Sequence, residues 1–222
     1  MKMLAIDTST DYLSVAVMDG ERVASRIHRK APRSHSSLLM PAIDSALKKA
    51  RLKIFDIGGF AVSVGPGSFT GLRIGVATVK GLAFAMKKRV VAVPTMDVIA
   101  AASVGIHGII CIVLDARKDK VYACIYCSDG KRVKRLSRYL LLPLKELLEG
   151  LKKYKDVKFI GDFAERAASK LPCSIVPVSS WHPKPEVVGR LGLERFRKKR
   201  FVKVENLEPL YLYSRECDIT GK

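Results

Sequence analysis

Acidic residues and histidines are scarce in this sequence. Its 222 residues include 40 Lys and Arg but only 21 Asp and Glu, so the formal net charge is +19, and there are only four histidines. A basic surface of this size is typical of proteins with a polyanionic partner, although a lysine-rich proteome gives the same composition. No two of the histidines have the spacing of metal ligands on one helix, so the sequence predicts no metal site.

Long apolar runs and an even set of cysteines are also missing. No segment approaches the roughly 20 apolar residues of a membrane span, and Asp7 interrupts the apolar start, so we expect no signal peptide, no membrane anchor and a cytoplasmic protein. The five cysteines are an odd number, which argues against a disulfide framework. Cys124 and Cys127 have CxxC spacing in a predicted strand, where positions three apart face opposite sides, and we interpret the cysteines as buried free thiols.

The most informative stretch is 65–75, between a predicted strand at 60–64 and a predicted helix. Its named positions are Gly65, Pro66, Gly67, Ser68, Phe69, Thr70, Gly71 and Arg73. The glycines and the proline predict a tight turn, and a hydroxyl within it is suited to cap the helix. The exposed amides of such a turn suit an anion. A turn that lets the helix pack closely on the sheet explains the glycines equally well.

Two nucleotide motifs are excluded at this turn by their context. A Walker A loop ends in Gly-Lys-Ser/Thr, whereas Gly71 is followed by Leu72. A dinucleotide fingerprint requires an acid at the end of the next strand, and the strand at 90–93 ends in Pro94. The turn therefore belongs to neither class.

The chain contains two similar starts, each with three short predicted strands. The first covers 4–29, with Asp7, Thr8 and Ser9 after its first strand, and the second covers 109–140, with Asp115 at the matching position. Helices and further strands follow each start. The repeat predicts a duplicated α/β fold with two βββαβα-type halves, at 1–104 and 105–222.

The sequence of 65–75, GPGSFTGLRIG, resembles the signature of the bacterial TsaB (YeaZ) family. Asp115-Ala116-Arg117 and the ending 207–215 resemble the same family, so the matching pieces span most of the chain. The resemblance implies the fold shared by actin, heat-shock chaperones and sugar kinases (the ASKHA fold). It also implies that Asp7, Thr8, Ser9 and Asp115 occupy degenerate phosphate-loop positions. The alternative for Asp7 is an Asx-type turn, in which its carboxylate accepts hydrogen bonds from nearby backbone amides.

The family resemblance implies a non-catalytic dimerisation and activation subunit. Its expected partners are a catalytic TsaD-like paralogue, a TsaE-like ATPase and, through the complex, tRNA, with a homodimer when alone. The reaction would place a threonylcarbamoyl group on N6 of adenosine 37 in tRNAs that read codons beginning with A. We expect no cofactor on this subunit, with ATP or ADP at the level of the complex. Helices at about 36–51 and 72–87 would form the interface, with candidate central residues Leu39, Ile43, Val76 and Leu82.

The sequence departs at three places from the proteins that it resembles. The helix that carries an HxxxH metal motif in the catalytic TsaD relatives has no histidine between Thr95 and Ala101. A single Gly161 stands where the superfamily kinases have an adenosine-binding Gly-Gly, and Tyr213 takes the place of the arginine that is usual in the ending of the TsaB family. The alternatives are an actin-like ATPase or phosphotransferase that uses Asp7 and Asp115, a glycoprotease-like hydrolase, and a basic tRNA-binding module. The missing histidines and the weak adenosine loop favour the non-catalytic subunit.

Overall fold

The structure is a computed structural model that describes residues 1–169, 174–177 and 181–212. The elements of the first half are β1 (Lys2–Asp7), β2 (Tyr12–Asp19), β3 (Arg22–Lys30), α1 (His35–Lys49), β4 (Gly59–Ser63), α2 (Phe69–Ala85), β5 (Arg89–Val93) and α3 (Thr95–Ala101). The strands form one sheet in the order β3-β2-β1-β4-β5. Strands β1, β4 and β5 run parallel, whereas β2 and β3 are antiparallel, as the predicted hairpins require.

The second half repeats this plan. Its elements are β6 (His107–Asp115), β7 (Lys120–Asp129), β8 (Val133–Arg135), β9 (Leu140–Pro143), α4 (Leu144–Leu151), β10 (Lys158–Ile160), α5 (Ala164–Ala168), β11 (Ser174–Ile175) and α6 (Pro185–Arg197). The sheet has the order β11-β10-β6-β7-β8, and β9 also pairs with β7. The predicted duplicated α/β fold is confirmed, because the two halves share their order of elements and of strands.

Helices cover both faces of the first sheet, which explains why its central strands are apolar throughout. Leu4 and Ile6 of β1 pack in the core beneath α1 and α2. Met3 and Ala5, on the other face of β1, pack against the apolar side of α6. Helix α6, which follows the second sheet in the chain, therefore packs on the first sheet. The division of the chain between residues 104 and 105 stays a prediction.

The predicted third strand of the second half, Arg132 to Leu140, was wrong as a single strand. The N–H groups of Leu136 and Ser137 both donate to the carbonyl of Ile125, at 2.8 and 3.3 Å. Leu136 and Ser137 thus lie opposite the single residue Ile125, and this bulge interrupts the hydrogen bonds between the strands. The segment therefore divides into β8 and β9. Helix α3 begins at Thr95, directly after Pro94.

The cysteines follow the alternation of the strands. Cys111 and Cys124 are buried free thiols, and burial raises the pKa of the Cys124 thiol. Cys127 is exposed, so the prediction of burial was wrong for this residue. Cys173 and Cys217 lie outside the described residues. Within the described ranges, no helix has the length and apolarity that a membrane crossing requires.

Candidate functional site

The turn after β1 is closed by its own hydrogen bonds. Asp7 is fully buried, and its Oδ1 accepts from the backbone N–H and the hydroxyl of Ser9, both at 2.9 Å. Burial raises the pKa of the Asp7 carboxyl, and the hydrogen bonds from Ser9 offset part of this rise. Thr8 is buried beside them. This is the Asx-type geometry, in which the carboxylate serves the turn itself.

The signature loop lies directly against this turn. The Ser68 N–H donates to the Ser9 carbonyl at 2.7 Å, and the Thr8 hydroxyl donates to the Gly71 carbonyl at 2.7 Å. Ser68 also caps α2, because its Oγ accepts from the Gly71 N–H at 3.3 Å. Ser68 therefore supplies the hydroxyl that caps the helix.

Two glycines of the loop allow this approach. A Cβ at Gly67 would lie 2.3 Å from the Ser9 carbonyl oxygen, and a Cβ at Gly71 would lie 2.1 Å from the Thr8 carbonyl oxygen. Real side chains do not approach a backbone oxygen so closely, so both positions require glycine. The motif therefore has a packing role, in which α2 begins against the turn that follows β1.

Three residues around the start of α2 form a cluster on the surface. The Arg73 guanidinium lies 3.8 Å from the centre of the Phe69 ring, and its Nε donates to the Tyr211 hydroxyl at 3.1 Å. The rings of Phe69 and Tyr211 are 5.6 Å apart, and the two residues are 38% and 45% exposed. Sequence analysis predicted no role for Tyr211, and Tyr213, which stands in place of the usual arginine, lies outside the described residues.

Asp115 occupies the matching turn of the second half, but it is exposed. Its N–H donates to Asp162 at 2.9 Å, and its carboxylate accepts from the Arg117 N–H at 2.8 Å. Burial raises the pKa of Asp162, and the negative charge of Asp115 adds to the rise. In the described part of the chain no hydrogen bond or ion pair joins Asp7 to Asp115. The predicted degenerate phosphate-loop role of these residues stays a prediction.

The histidines do not form a metal or hydrolase site among the residues described. No group of three or more potential metal ligands is present in 1–169, 174–177 and 181–212. Ser34 donates to the Pro32 carbonyl, and His35 Nε2 lies 3.3 Å from the Tyr12 carbonyl, so these neighbours do not pair as a nucleophile and base. His28 lies 2.8 Å from the Ser14 hydroxyl.

His28 makes stability dependent on pH. Burial lowers the pKa of His28 from 6.5 to about 4, and the charge of Lys184 contributes in the same direction. The unfolded chain therefore binds the proton more readily, and we expect the free energy of unfolding to fall as the pH drops from about 6.5 towards 4. Denaturant titrations at several pH values should show a shallower fall in the free energy of unfolding for His28→Gln than for the parent. Equal slopes for the His28 variant and the parent would contradict this account.

The predicted interface residues lie mostly inside the first half. Leu39, Ile43 and Val76 are 1%, 2% and 5% exposed, and they pack in the core between the helices and the sheet. Their assignment to a partner face was wrong, because each helix is oriented with its most apolar side towards the sheet. Leu82 is half-buried at the margin of this core. The partner face itself stays a prediction, and the exposed sides of the same helices are available for it.

Comparisons with known proteins agree with this geometry. A family model for TsaD, tRNA N6-adenosine threonylcarbamoyltransferase, matches residues 24–178. The tRNA threonylcarbamoyladenosine biosynthesis protein TsaB of Bacillus subtilis is 29% identical over 98% of this chain and 96% of its own length. TsaB of Haemophilus influenzae is 35% identical over 55% of this chain and 52% of its own.

A solved structure covers nearly the whole fold. YeaZ from Pseudomonas aeruginosa superposes with a TM-score of 0.81 and 25% identity, over 95% of this chain and 99% of that protein. The family model spans well over half of the sequence, and the relatives of full length carry the TsaB and YeaZ names. The chain therefore belongs to the protein family described by the TsaD model, and within it to the TsaB (YeaZ) branch.

Proposed function

We propose that this protein takes part in the synthesis of N6-threonylcarbamoyladenosine on tRNA, as a non-catalytic subunit that binds and activates a TsaD-like threonylcarbamoyltransferase. The relatives named for this biosynthesis support the pathway. The observation that carries the non-catalytic role is the contact between the signature loop and the turn after β1, where hydrogen bonds join Thr8 to Gly71 and Ser9 to Ser68. The motif packs the start of α2 against the turn after β1, and its residues Phe69 and Arg73 lie on the surface.

The reaction in this proposal is transfer to N6 of adenosine 37 of tRNAs that read codons beginning with A. The catalytic groups and any ATP or ADP would belong to the assembled complex, with its TsaD-like and TsaE-like members. In the absence of a TsaD-like partner, the surface that binds this partner would support a homodimer. The alternative of an independent ATPase or phosphotransferase receives less support, because the Asp7 carboxylate is buried and already accepts two hydrogen bonds from Ser9.

The surface proposed for the partner is the exposed side of α1 and α2. It includes Met40, which is 51% exposed, the exposed Ala77 and Gly81, and Phe84, which is 73% exposed. Apolar and small residues on this side let a second helix pair approach closely. Two helices from each subunit would then form a bundle.

Charges on this surface test the proposal. We expect Met40→Glu and Ala77→Glu to fold normally and to weaken association with a TsaD-like subunit by about 100-fold, because each charge would be buried without a partner. Affinity is measured by analytical ultracentrifugation after circular dichroism has shown that the variants fold. The matched control is Leu136→Glu, an exposed apolar residue of the second half. Unweakened association of both helix variants would place the interface elsewhere, and no association between the parent protein and a TsaD-like subunit would overturn the subunit role.

A further inference from the structure

Three helices end at one edge of the first sheet. Strands β1, β4 and β5 are parallel, so they all begin at this edge, where Met3 pairs with Gly59 and Gly59 with Arg89. Helices α1 and α2 end just before β4 and β5 begin. The end of α6 lies here too, because the ring of Phe196 packs where a Cβ on Gly59 would stand. The ends of α1, α2 and α6 therefore share one surface.

This surface is strongly basic. We call it the basic edge and define it by Lys48, Lys49, Arg51, Lys53, Lys87, Lys88, Arg89, Arg197, Lys198, Lys199 and Arg200. Ion pairs join Lys48 to Asp44, Arg197 to Glu21 and Lys198 to Glu194. No ion pair is found for the other members among the described residues, although Arg200 lies near Glu194 and the backbone N–H of Lys53 donates to the Asp56 carboxylate at 2.7 Å. The edge also holds the acidic residues Glu21, Asp44, Asp56 and Glu194, so it contributes about +7 to the formal charge of +19.

The three helices end in the same way, each with a basic residue in a left-handed position. Each has a Schellman-type end, in which Leu52 N–H donates to Leu47, Lys88 N–H to Ala83 and Arg200 N–H to Arg195. The left-handed residues at these ends are Arg51, Lys87 and Lys199, with φ of 55°, 52° and 53°. Glycine is the usual residue at such a position, because a Cβ is strained there.

Cations near the last turn of a helix are favoured by its dipole. An aromatic side chain also stands at this edge. Phe55, in the short 3-10 turn Ile54–Asp56 that follows Lys53, is 78% exposed. Exposed basic residues beside an exposed ring are the combination that binds phosphates and stacks unpaired bases.

We propose that the basic edge binds RNA, with its lysines and arginines on the phosphate backbone and Phe55 stacked on an unpaired base. The identity of that RNA as tRNA rests on the proposed function. The binding itself depends only on this chain and does not require the partner face of α1 and α2. The two proposals can therefore fail separately.

The left-handed positions allow a test that does not damage the fold. The triple variant Arg51→Gly, Lys87→Gly and Lys199→Gly removes three charges and relieves three strained residues, so its melting temperature should be equal to or above that of the parent. At about 0.1 M salt we expect it to bind an unmodified tRNA transcript about tenfold more weakly. The slope of log affinity against log salt should become shallower by about 2, because fewer counterions are released.

A matched triple variant controls for charge and backbone together. Arg33, Arg117 and Lys118 are exposed, have φ of 58°, 65° and 50°, and lie away from the basic edge. Their replacement by glycine removes the same charge and should leave tRNA affinity within about twofold, since charges beyond a Debye length of about 10 Å are screened. Phe55→Ala should weaken binding about tenfold without a change in the salt slope.

The outcomes separate the possible occupants. Selective loss in the first triple variant, together with the loss in Phe55→Ala, supports the RNA surface. Equal loss in both triple variants, or no binding of tRNA by the parent protein, overturns it. Binding to phosphatidylserine vesicles that depends on the basic edge, with tRNA binding that does not, would also overturn it and assign this surface to an anionic membrane.

Discussion

Gly71→Ala is expected to destabilise the protein by about 3 kcal/mol, whereas Gly81→Ala in the same helix is expected to stabilise it by up to about 1 kcal/mol. The new methyl group at position 71 would lie 2.1 Å from the Thr8 carbonyl oxygen, which is backbone and cannot rotate away. The turn is held by hydrogen bonds between Asp7 and Ser9, so it resists displacement. At Gly81 an added Cβ has no atom within 4 Å, and alanine favours the helix.

Chemical denaturation with circular dichroism measures both effects. The two variants make the same substitution in one helix, so the difference in their midpoints isolates the contact with Thr8. An unchanged midpoint for Gly71→Ala would mean that the signature loop separates from the turn at little cost. In that case the packing role assigned to the glycine would be incorrect.

The elements that sequence analysis predicted well are those with local signals. The hairpin of β2 and β3 follows from alternating residues around Asp19-Gly20, and the repeat of this pattern after Gly108 predicts the second half. The signature loop was placed correctly between a strand and a helix because its glycines, proline and cap residue are local. Its contact with the turn at Thr8 depends on the pairing of β1 with β4, which is not a local property.

The features that sequence analysis missed all depend on contacts between distant segments. Helix α6 follows the second sheet in the chain yet packs on the first. Tyr211 meets Arg73 across the surface of α2, and no spacing in the sequence links the two. The basic edge was not predicted, because its residues are brought together by three helices that end at the same side of a parallel sheet.

The orientation of α1 was the most consequential of these errors. Its apolar residues cover a wide arc, and periodicity does not decide which part of a wide arc faces the sheet. The structure places Leu39 in the core at 1% exposure and its neighbour Met40 outside at 51%. Adjacent residues on one helix therefore provide a direct test of its orientation.

We expect Leu39→Glu to destabilise the protein by about 5 kcal/mol, and Met40→Glu to change its stability by no more than about 0.5 kcal/mol. Glutamate at 39 loses the burial of leucine and places a carboxylate among apolar residues of the core. Since a typical domain has only about 5–15 kcal/mol of stability, the first variant should unfold at low denaturant concentration or during purification. Urea titration of both variants gives the comparison, and a Leu39→Glu protein as stable as Met40→Glu would show that α1 is oriented the other way. Association experiments must therefore use Met40→Glu, because lost binding in Leu39→Glu would report unfolding rather than an interface.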